Sequence, residues 1–268
     1  MIVDIASVPI QIAPADEFEG RWIGQDEPMR QLLASWYVLG TSDLPMNPRL
    51  VGKPGVGKTT LACAAARRLS RETYILQATS DTRPTDLLLT PGKLAFLASP
   101  LVSAMIRGGV CVLDEANRMS ERCWASLAPL LDHRRYVESL EAGIKIKAHP
   151  LFRLVATMNE DASTFDLPSY IHSRLQPRIL IDFPAESEEL AILRENLPFA
   201  DDQMIRYVNG FLRQAHAMEE PLTVRDGINA VRYAMKLHMH LGVDRKTAIR
   251  RAFADTLGEA SLAYAPKP

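Results

Sequence analysis

The chain has 268 residues, of which 47% are hydrophobic and 24% are charged. This length predicts one large domain or a medium-sized domain followed by a small one, and the apolar fraction is high enough for a hydrophobic core, which excludes disorder as a description of the whole chain. Because 31 Lys and Arg residues nearly balance 32 Asp and Glu residues, the formal net charge is −1, which disfavours nucleic acid as the main ligand.

Membrane-spanning and secretory signals are not found in the sequence. It has no run of about 18 apolar residues, and its first 20 residues do not combine a cationic leader with an apolar stretch. The three cysteines form no CxxC pair and are too few for a disulfide framework. We therefore expect a cytoplasmic protein without a membrane span.

Predicted strands and helices alternate over the first two thirds of the chain. After an extended stretch over residues 1–20, apolar residues at three-and-four spacing predict a helix over residues 25–38. Short, continuous apolar runs, typical of a parallel sheet buried on both faces, predict strands over residues 50–51, 74–76, 110–113, 153–157 and 179–183. Helices are predicted over residues 59–69, 101–107 and 122–131. This alternation predicts an α/β fold.

The strand signals stop after Pro184, and the rest of the chain has an almost wholly helical pattern. Breaks in this pattern are predicted at Pro198, Gly210, Pro221 and Gly242. We therefore predict an α/β domain over residues 1–184 and a helical domain over residues 185–268.

Residues 52–59, here called the phosphate-binding loop, follow a predicted strand, open a predicted helix and fit the pattern G-x-x-x-x-G-K-[ST]. Glycines let backbone N–H groups curl around an anion, and the helix N-terminus adds the positive end of its dipole. Lys58 supplies an ammonium group for the β- and γ-phosphates, and Thr59 offers a hydroxyl to Mg²⁺. The residues predicted here to bind the nucleotide are Gly52, Lys53, Pro54, Gly55, Val56, Gly57, Lys58, Thr59 and Thr60.

A second motif follows at Gly109, where an apolar strand ends abruptly in two carboxylates, Asp114 and Glu115. Two acids at a strand end are unfavourable unless a cation or a water lies beyond it. We expect Asp114 to orient Mg²⁺ together with Thr59, and Glu115 to polarise the water that attacks the γ-phosphate. The two motifs together predict a site that hydrolyses a nucleoside triphosphate.

Three later features carry polar side chains to positions that suit this chemistry. Asn159 ends a strand and can hydrogen-bond the attacking water or the γ-phosphate. Arg174 and Arg178 precede the fifth predicted strand, and Arg225 lies at the start of a helix in the helical tail.

These motifs resemble those of AAA+ ATPases, and among them the MoxR branch of the helix-2-insert group. The resemblance runs from Ile23 to about Lys236 and rests on GKPGVGKT, VCVLDEANR, the strand ending in Asn159, the arginine pair before IDFP, and LTVRDG. A predicted hairpin over residues 135–149 is similar to the extra insertion of this group. The implied fold is a P-loop NTPase three-layer α/β/α domain with a parallel sheet, followed by a small all-helical lid.

The resemblance also implies roles for individual residues. Asn159 matches sensor 1 and Arg225 matches sensor 2. Arg174 matches the arginine finger that reaches the γ-phosphate of a neighbouring subunit, with Arg178 as the competing choice; the family usually has an aromatic residue after the finger, whereas this chain has Leu175.

The base of the nucleotide and the oligomer are implied in the same way. Ile23 and Gly24 match the loop that packs on adenine, and the absence of an Asn-Lys-x-Asp signal for guanine favours ATP as the nucleotide. The family is typically hexameric and uses ATP and Mg²⁺ to remodel or activate a partner complex together with a von Willebrand factor A-domain protein. The helix-2 insert is expected within residues 87–99, where Phe96 is a candidate pore residue.

Three alternative functions stay open. One is a ring ATPase acting on DNA, such as a helicase loader or the motor of a defence system, which the balanced charge disfavours. Another is a scaffold that binds ATP but turns it over slowly. The third is a small-molecule kinase, which shares the phosphate-binding loop but not the later Asn and Arg residues.

Overall fold

The structure, a computed structural model, describes residues 1–160 and 167–266. Its strands are β1 Ile2–Ile5, β2 Val8–Gln11, β3 Arg49–Gly52, β4 Thr73–Gln77, β5 Leu89–Thr90, β6 Phe96–Ala98, β7 Val110–Asp114, β8 Tyr136–Ser139, β9 Ile144–Lys147, β10 Arg153–Asn159 and β11 Arg178–Leu180. Its helices are α1 Asp26–Trp36, α2 Lys58–Arg68, α3 Pro100–Arg107, α4 Glu121–Leu127, α5 Ser169–His172, α6 Glu186–Asn196, α7 Asp202–Ala217, α8 Val224–Leu241 and α9 Arg245–Leu257.

Five parallel strands form the central sheet, in the order β11-β3-β10-β7-β4. Each was predicted from a continuous apolar run, and β3 and β10 are buried along their whole length. The chain moves from β3 to β4 in one direction across the sheet and then back from β4 to β7. Because crossovers between parallel strands are right-handed, α2 and α3 lie on opposite faces. This arrangement confirms the predicted α/β fold.

Helix α1 is fastened to the sheet through a buried tryptophan. The indole Nε1 of Trp36 donates a hydrogen bond to the carbonyl oxygen of Leu154 at 3.1 Å, and the Nε of Arg153 donates to the carbonyl oxygen of Trp36 at 2.7 Å. Burial of its guanidinium lowers the pKa of Arg153 to about 10, and the neighbouring cations Arg71 and Arg135 lower it further.

The first twenty residues are more ordered than their mixed composition predicts. Strands β1 and β2 form a hairpin, and β2 pairs with β6, which in turn pairs with β5 in a second sheet of order β1-β2-β6-β5. This pairing joins residues more than 80 positions apart in the sequence, so local periodicity does not reveal it.

Residues 87–99, where the insert was predicted, contain this β5–β6 hairpin. Phe96 is half-buried and packs against the core, whereas Leu94 is 90% exposed in the connection between the strands. A hairpin predicted over residues 135–149 is present as β8 and β9. Helix α4 ends at Leu127, four residues before the predicted end, shortly ahead of Pro129.

Contacts divide the chain into two units. The first comprises Met1–Trp22, Asp26–Gly52 and Gly57–Ile181, and the second comprises Ile23–Gln25, Lys53–Val56 and Asp182–Pro268. The second unit thus joins two short segments from the first half of the chain to the helical tail. The predicted boundary between residues 184 and 185 stays a prediction.

Helices α6 to α9 of the second unit surround a core that includes Leu193, Phe211 and Phe253. The predicted break at Gly210 is wrong, because α7 continues through this residue to Ala217. A glycine inside a helix costs roughly 1 kcal/mol relative to alanine, and the buried apolar face of α7, which includes Val208 and Leu212, offsets that cost. Among the residues that the structure describes, no helix is long and apolar enough to cross a membrane.

Candidate functional site

Gly52, Asp114 and Asn159 of the first unit lie where parallel strands end. In the register of the sheet, Asn159 at the end of β10 pairs with Gly52 at the end of β3. Asp114 ends β7, the other neighbour of β10. Ligands of open α/β sheets bind beyond the carboxyl ends of the strands, so this edge is the candidate functional site.

The part of the phosphate-binding loop in this unit contains the start of α2. Lys58 is only 6% exposed, and its Nζ donates a hydrogen bond to the carbonyl oxygen of Gly52 at 2.8 Å. Gly57 precedes the helix with φ of +98° and no side-chain cap, a backbone conformation that residues with a Cβ rarely adopt. Gly57 has no side chain that could accept a hydrogen bond from the first N–H groups of α2. These N–H groups are therefore suited to bind an anion.

The side chains of Thr59, Asp114 and Thr157 meet at the end of β7. The hydroxyl of Thr59 donates a hydrogen bond to Oδ1 of Asp114 at 2.7 Å. The hydroxyl of Thr157 donates to the same oxygen at 2.6 Å. The structure thus brings together the two residues predicted to hold Mg²⁺, Thr59 and Asp114.

Glu115 follows directly and is held by several groups. Its backbone has φ of +53°, and its N–H donates to the hydroxyl of Thr157 at 3.0 Å. Its Oε1 accepts a hydrogen bond from Nδ2 of Asn159 at 3.3 Å, so the predicted water-polarising residue and the predicted sensor are in contact. Its Oε2 lies 2.7 Å from Nε of Arg118 in an ion pair that lacks the alignment of a hydrogen bond.

Other predicted nucleotide-binding residues belong to the second unit. Lys53–Val56 is the tip of the phosphate-binding loop, and a Cβ added at Gly55 would lie 2.7 Å from the hydroxyl of Thr223. With φ of +84°, Gly55 also needs the freedom of a glycine. Thr223 caps α8, where its N–H and hydroxyl both donate to Asp226 at 2.7 Å. The exposed Arg225 lies between them in the sequence.

The predicted adenine loop in the second unit is fastened by a carboxylate that the sequence reasoning missed. Glu188 of α6 accepts hydrogen bonds from the N–H of Gln25 at 2.7 Å and from the N–H of Ala185 at 3.0 Å. Gln25 Nε2 also donates to the carbonyl oxygen of Asp182 at 3.0 Å. Ile23 and Gly24 are therefore tied to the start of α6.

A ring stack links the tip of the loop to α7 within the same unit. Nζ of Lys53 lies 4.6 Å from the ring centroid of Phe183, which stacks on His216 at 3.9 Å. Burial lowers the pKa of His216, and the nearby Arg213 and Lys53 lower it further against the opposing effects of the Leu222 carbonyl oxygen and Asp182. The stack thus contains a cation next to a histidine that resists protonation.

The two candidate arginine fingers, Arg174 and Arg178, have their described contacts with residues outside the phosphate-binding loop. Arg174 donates to the carbonyl oxygen of Tyr170 at 2.6 Å and lies 3.8 Å from Asp132. It lines a cleft of about 340 Å³ together with Leu44 and Met46. Arg178 instead forms an ion pair of 3.2 Å with Glu160. Each arginine thus pairs with a carboxylate, and the geometry does not choose between them.

Thr157, Asn117 and Arg118 are site residues that the sequence reasoning missed. Asn117 Nδ2 donates to the carbonyl oxygen of Asn159 at 2.9 Å and joins the two strand ends. A hydroxyl among the otherwise apolar residues 154–158 of β10 was a signal for Thr157, because neighbouring parallel strands place it beside Asp114.

The chain is similar in sequence to known proteins. The family described as AAA domain (dynein-related subfamily) matches residues 49–175. Protein NorQ of Paracoccus denitrificans is 29% identical over 240 residues, which cover 86% of each chain. The denitrification regulatory protein NirQ of Pseudomonas aeruginosa is 29% identical over 222 residues, which cover 78% of this chain and 82% of NirQ.

A likeness to solved structures supports the fold. The Holliday junction branch migration motor RuvB of Thermotoga maritima superposes with a TM-score of 0.59 over 86% of this chain and 69% of the RuvB chain, at 18% identity. At this identity the likeness shows the fold alone.

The parallel sheet and the phosphate-binding loop between β3 and α2 define a P-loop NTPase. The matched AAA domain and the two relatives point to a narrower class of protein. Residues 49–175 match the AAA domain, and the similarity to NorQ and NirQ over most of the chain supports a MoxR-like AAA+ ATPase that binds and hydrolyses ATP.

Proposed function

We propose that this ATPase assembles into a ring, a hexamer, that hydrolyses ATP to remodel or activate a partner protein complex. The single observation that carries the proposal is the cluster of Thr59 at the start of α2 with Asp114, Glu115 and Asn159 at the strand ends, which supplies the groups for hydrolysis. The candidate finger Arg174 has its described contacts elsewhere, which favours action on a neighbouring subunit.

Each residue of the cluster has a defined task in this proposal. Lys58 and the first N–H groups of α2 neutralise the charge that develops on the phosphates. Glu115 accepts a proton from the water that attacks the γ-phosphate, and Asn159 orients both Glu115 and that water. Arg225 of α8 acts as the second sensor of the γ-phosphate.

The residues present fit Mg²⁺. A hydroxyl and a carboxylate oxygen, 2.7 Å apart at Thr59 and Asp114, are the oxygen ligands that this ion prefers. In the part of the chain that the structure describes, no cluster of three or more His, Cys, Asp or Glu residues forms a complete metal cage. That suits an ion that protein groups hold together with substrate phosphates, and when bound it neutralises phosphate charge.

The partner is proposed to be a separate polypeptide with a von Willebrand factor A domain. This follows from the MoxR resemblance, and NirQ, which is named as a denitrification regulatory protein, is a relative of regulatory function. Movement of the helical unit during the ATP cycle would transmit force to that partner.

The proposal is tested with a tagged Glu115→Gln variant, which we expect to bind ATP but to hydrolyse it too slowly to release its partner. After purification with ATP and Mg²⁺, light scattering should show a ring and mass spectrometry should identify a co-purifying protein. Lys58→Ala is the matched control, because it removes the ammonium group that holds the phosphates and should capture neither.

Other outcomes would redirect the assignment. A Glu115→Gln variant that stays monomeric with ATP contradicts the ring. Full biological activity of that variant would favour a scaffold, DNA-stimulated hydrolysis with a steep salt dependence would favour a DNA motor, and phosphoryl transfer to a metabolite would favour a kinase.

A further inference from the structure

Thr157 connects the two acidic residues of the site with a single hydroxyl group. The side chain is 1% exposed on the central strand β10. Its hydroxyl donates to Oδ1 of Asp114 at 2.6 Å and accepts from the N–H of Glu115 at 3.0 Å. A hydroxyl has one donor and two acceptor positions, so Thr157 uses its only donor on one acid and an acceptor on the backbone of the next.

The bond to Glu115 supports an unusual backbone conformation. Glu115 has φ of +53° and ψ of +39°, in the left-handed region, which is unfavourable for residues with a Cβ. This turn is what directs the chain out of β7 and allows the Glu115 carboxylate to contact Asn159. The N–H of Glu115 has its partner in Thr157, and without that hydroxyl a partly buried donor would lose its hydrogen bond.

The bond to Asp114 fixes the other acid. Thr59 and Thr157 both donate to Oδ1 of Asp114, at 2.7 and 2.6 Å. Two donors on one oxygen restrict the rotation of the carboxylate. Thr157 therefore contacts both the proposed metal ligand and the backbone of the proposed water-polarising residue without being either.

We propose that Thr157 is a positioning residue for ATP hydrolysis: its hydroxyl, fixed by its bond to Asp114, holds Glu115 in the geometry for accepting a proton. The inference rests on the proposed function, in particular on the role of Glu115. It assigns no direct contact between Thr157 and ATP.

The test replaces the hydroxyl while keeping the shape. We expect Thr157→Val to lower kcat about tenfold to a hundredfold, as the loss of a hydrogen bond to a buried group predicts. KM and the Kd for ATP measured without Mg²⁺ should change less than about threefold. Thr157→Ser, which restores the hydroxyl, should recover kcat to within about threefold of the parent protein.

A double variant shows whether Thr157 acts through Glu115. In the Glu115→Gln background, measured by single-turnover hydrolysis over hours, Thr157→Val should cause less than about a threefold further loss. The matched control is Thr73→Val, because Thr73 is also buried on a strand of the same sheet and no side-chain hydrogen bond is described for it. This control should keep kcat within about twofold.

Three results would overturn the inference: an unchanged kcat of Thr157→Val, a Thr157→Ser variant as slow as Thr157→Val, or an equal loss in the parent and Glu115→Gln backgrounds. Loss of ATP binding by Thr157→Val would also overturn it, because the residue would then support the fold instead of Glu115. If the parent protein does not hydrolyse ATP, or if Glu115→Gln hydrolyses it normally, the proposed function fails instead.

Discussion

Glu189 of α6 is fully buried in the helical unit although it carries an ionisable carboxyl group. Its Oε2 accepts a hydrogen bond from Nδ2 of Asn209 at 2.8 Å, and its Oε1 has no hydrogen-bond partner in the described part of the chain. Burial raises the pKa of Glu189 to about 7 from 4.5, and Arg213 opposes this rise. The protonated form is therefore the one that suits the folded protein.

This shift predicts a pH dependence of stability. A carboxyl whose pKa is higher in the folded protein binds its proton more tightly there, so its contribution is fully present below about 4.5 and is lost as the pH rises through about 7. We expect the free energy of unfolding contributed by Glu189 to fall by on the order of 2 kcal/mol over this window.

Urea unfolding of the full chain between pH 5 and 8 measures the effect, with Glu189→Gln as the comparison. Because the amide does not titrate, the difference in unfolding free energy between the parent and Glu189→Gln should shift in favour of the variant as the pH rises. A difference that stays constant over this range would contradict the raised pKa.

At the scale of single elements, β7 determines where Asp114 and Glu115 stand. Its residues Val110 to Leu113 are all buried, and β7 lies between β10 and β4 in the sheet. An apolar strand in this position needs close packing on both faces. The stability of the sheet and the geometry of the site therefore depend on the same residues.

Replacement of Leu113 by alanine tests this dependence. Because Leu113 is 0% exposed, Leu113→Ala should lower the free energy of unfolding by about 2–5 kcal/mol through lost burial and the cavity left behind. Leu140→Ala is the matched control, since Leu140 is 88% exposed at the β8–β9 turn and should cost less than about 0.5 kcal/mol. Similar losses in both variants, measured by urea unfolding, would contradict the described packing.

The secondary-structure elements also show which local signals were sufficient. Continuous apolar runs predicted the five strands of the central sheet, since a strand buried on both faces needs apolar residues at every position. The continuation of α7 through Gly210 was not predicted, because the local sequence shows only the helix-breaking tendency of a glycine. That tendency is weaker than the packing of the apolar face of α7.

At the scale of the whole molecule, the proposed trans action of Arg174 makes activity a property of the assembly. The specific ATPase activity should rise with protein concentration as rings form. An arginine supplied by a neighbouring subunit is worth roughly 10³–10⁵ in rate, so dilute monomers should be almost inactive.

Mixing two inactive variants tests more directly whether Arg174 acts on a neighbouring subunit. Lys58→Ala lacks a working phosphate site but keeps its Arg174, whereas Arg174→Ala has the reverse defect. Their mixture should recover part of the activity at composite sites between subunits, and Arg178→Ala with Lys58→Ala is the matched pair for the competing finger. Full activity of Arg174→Ala alone at high dilution would contradict a finger at Arg174.

The sequence by itself determined the α/β fold and the chemistry of the phosphate-binding loop, because both depend on short-range patterns: apolar runs, glycine spacing and a Lys-Thr pair at a helix start. It also predicted which polar residues end the strands. Only the tertiary structure decided which of these residues touch one another.

Thr157, Glu115 and Glu189 show why. The Thr157 hydroxyl reaches Asp114 only because β10 pairs with β7 in one register. The left-handed turn at Glu115 has the hydrogen bond of its N–H to the same hydroxyl, and the burial of Glu189 depends on how α6 packs with α7. The pairing of β2 with β6 is likewise a contact between residues that are distant in the sequence. Such contacts join distant residues, and the free energy that selects them comes from packing of the whole domain, which no local pattern contains.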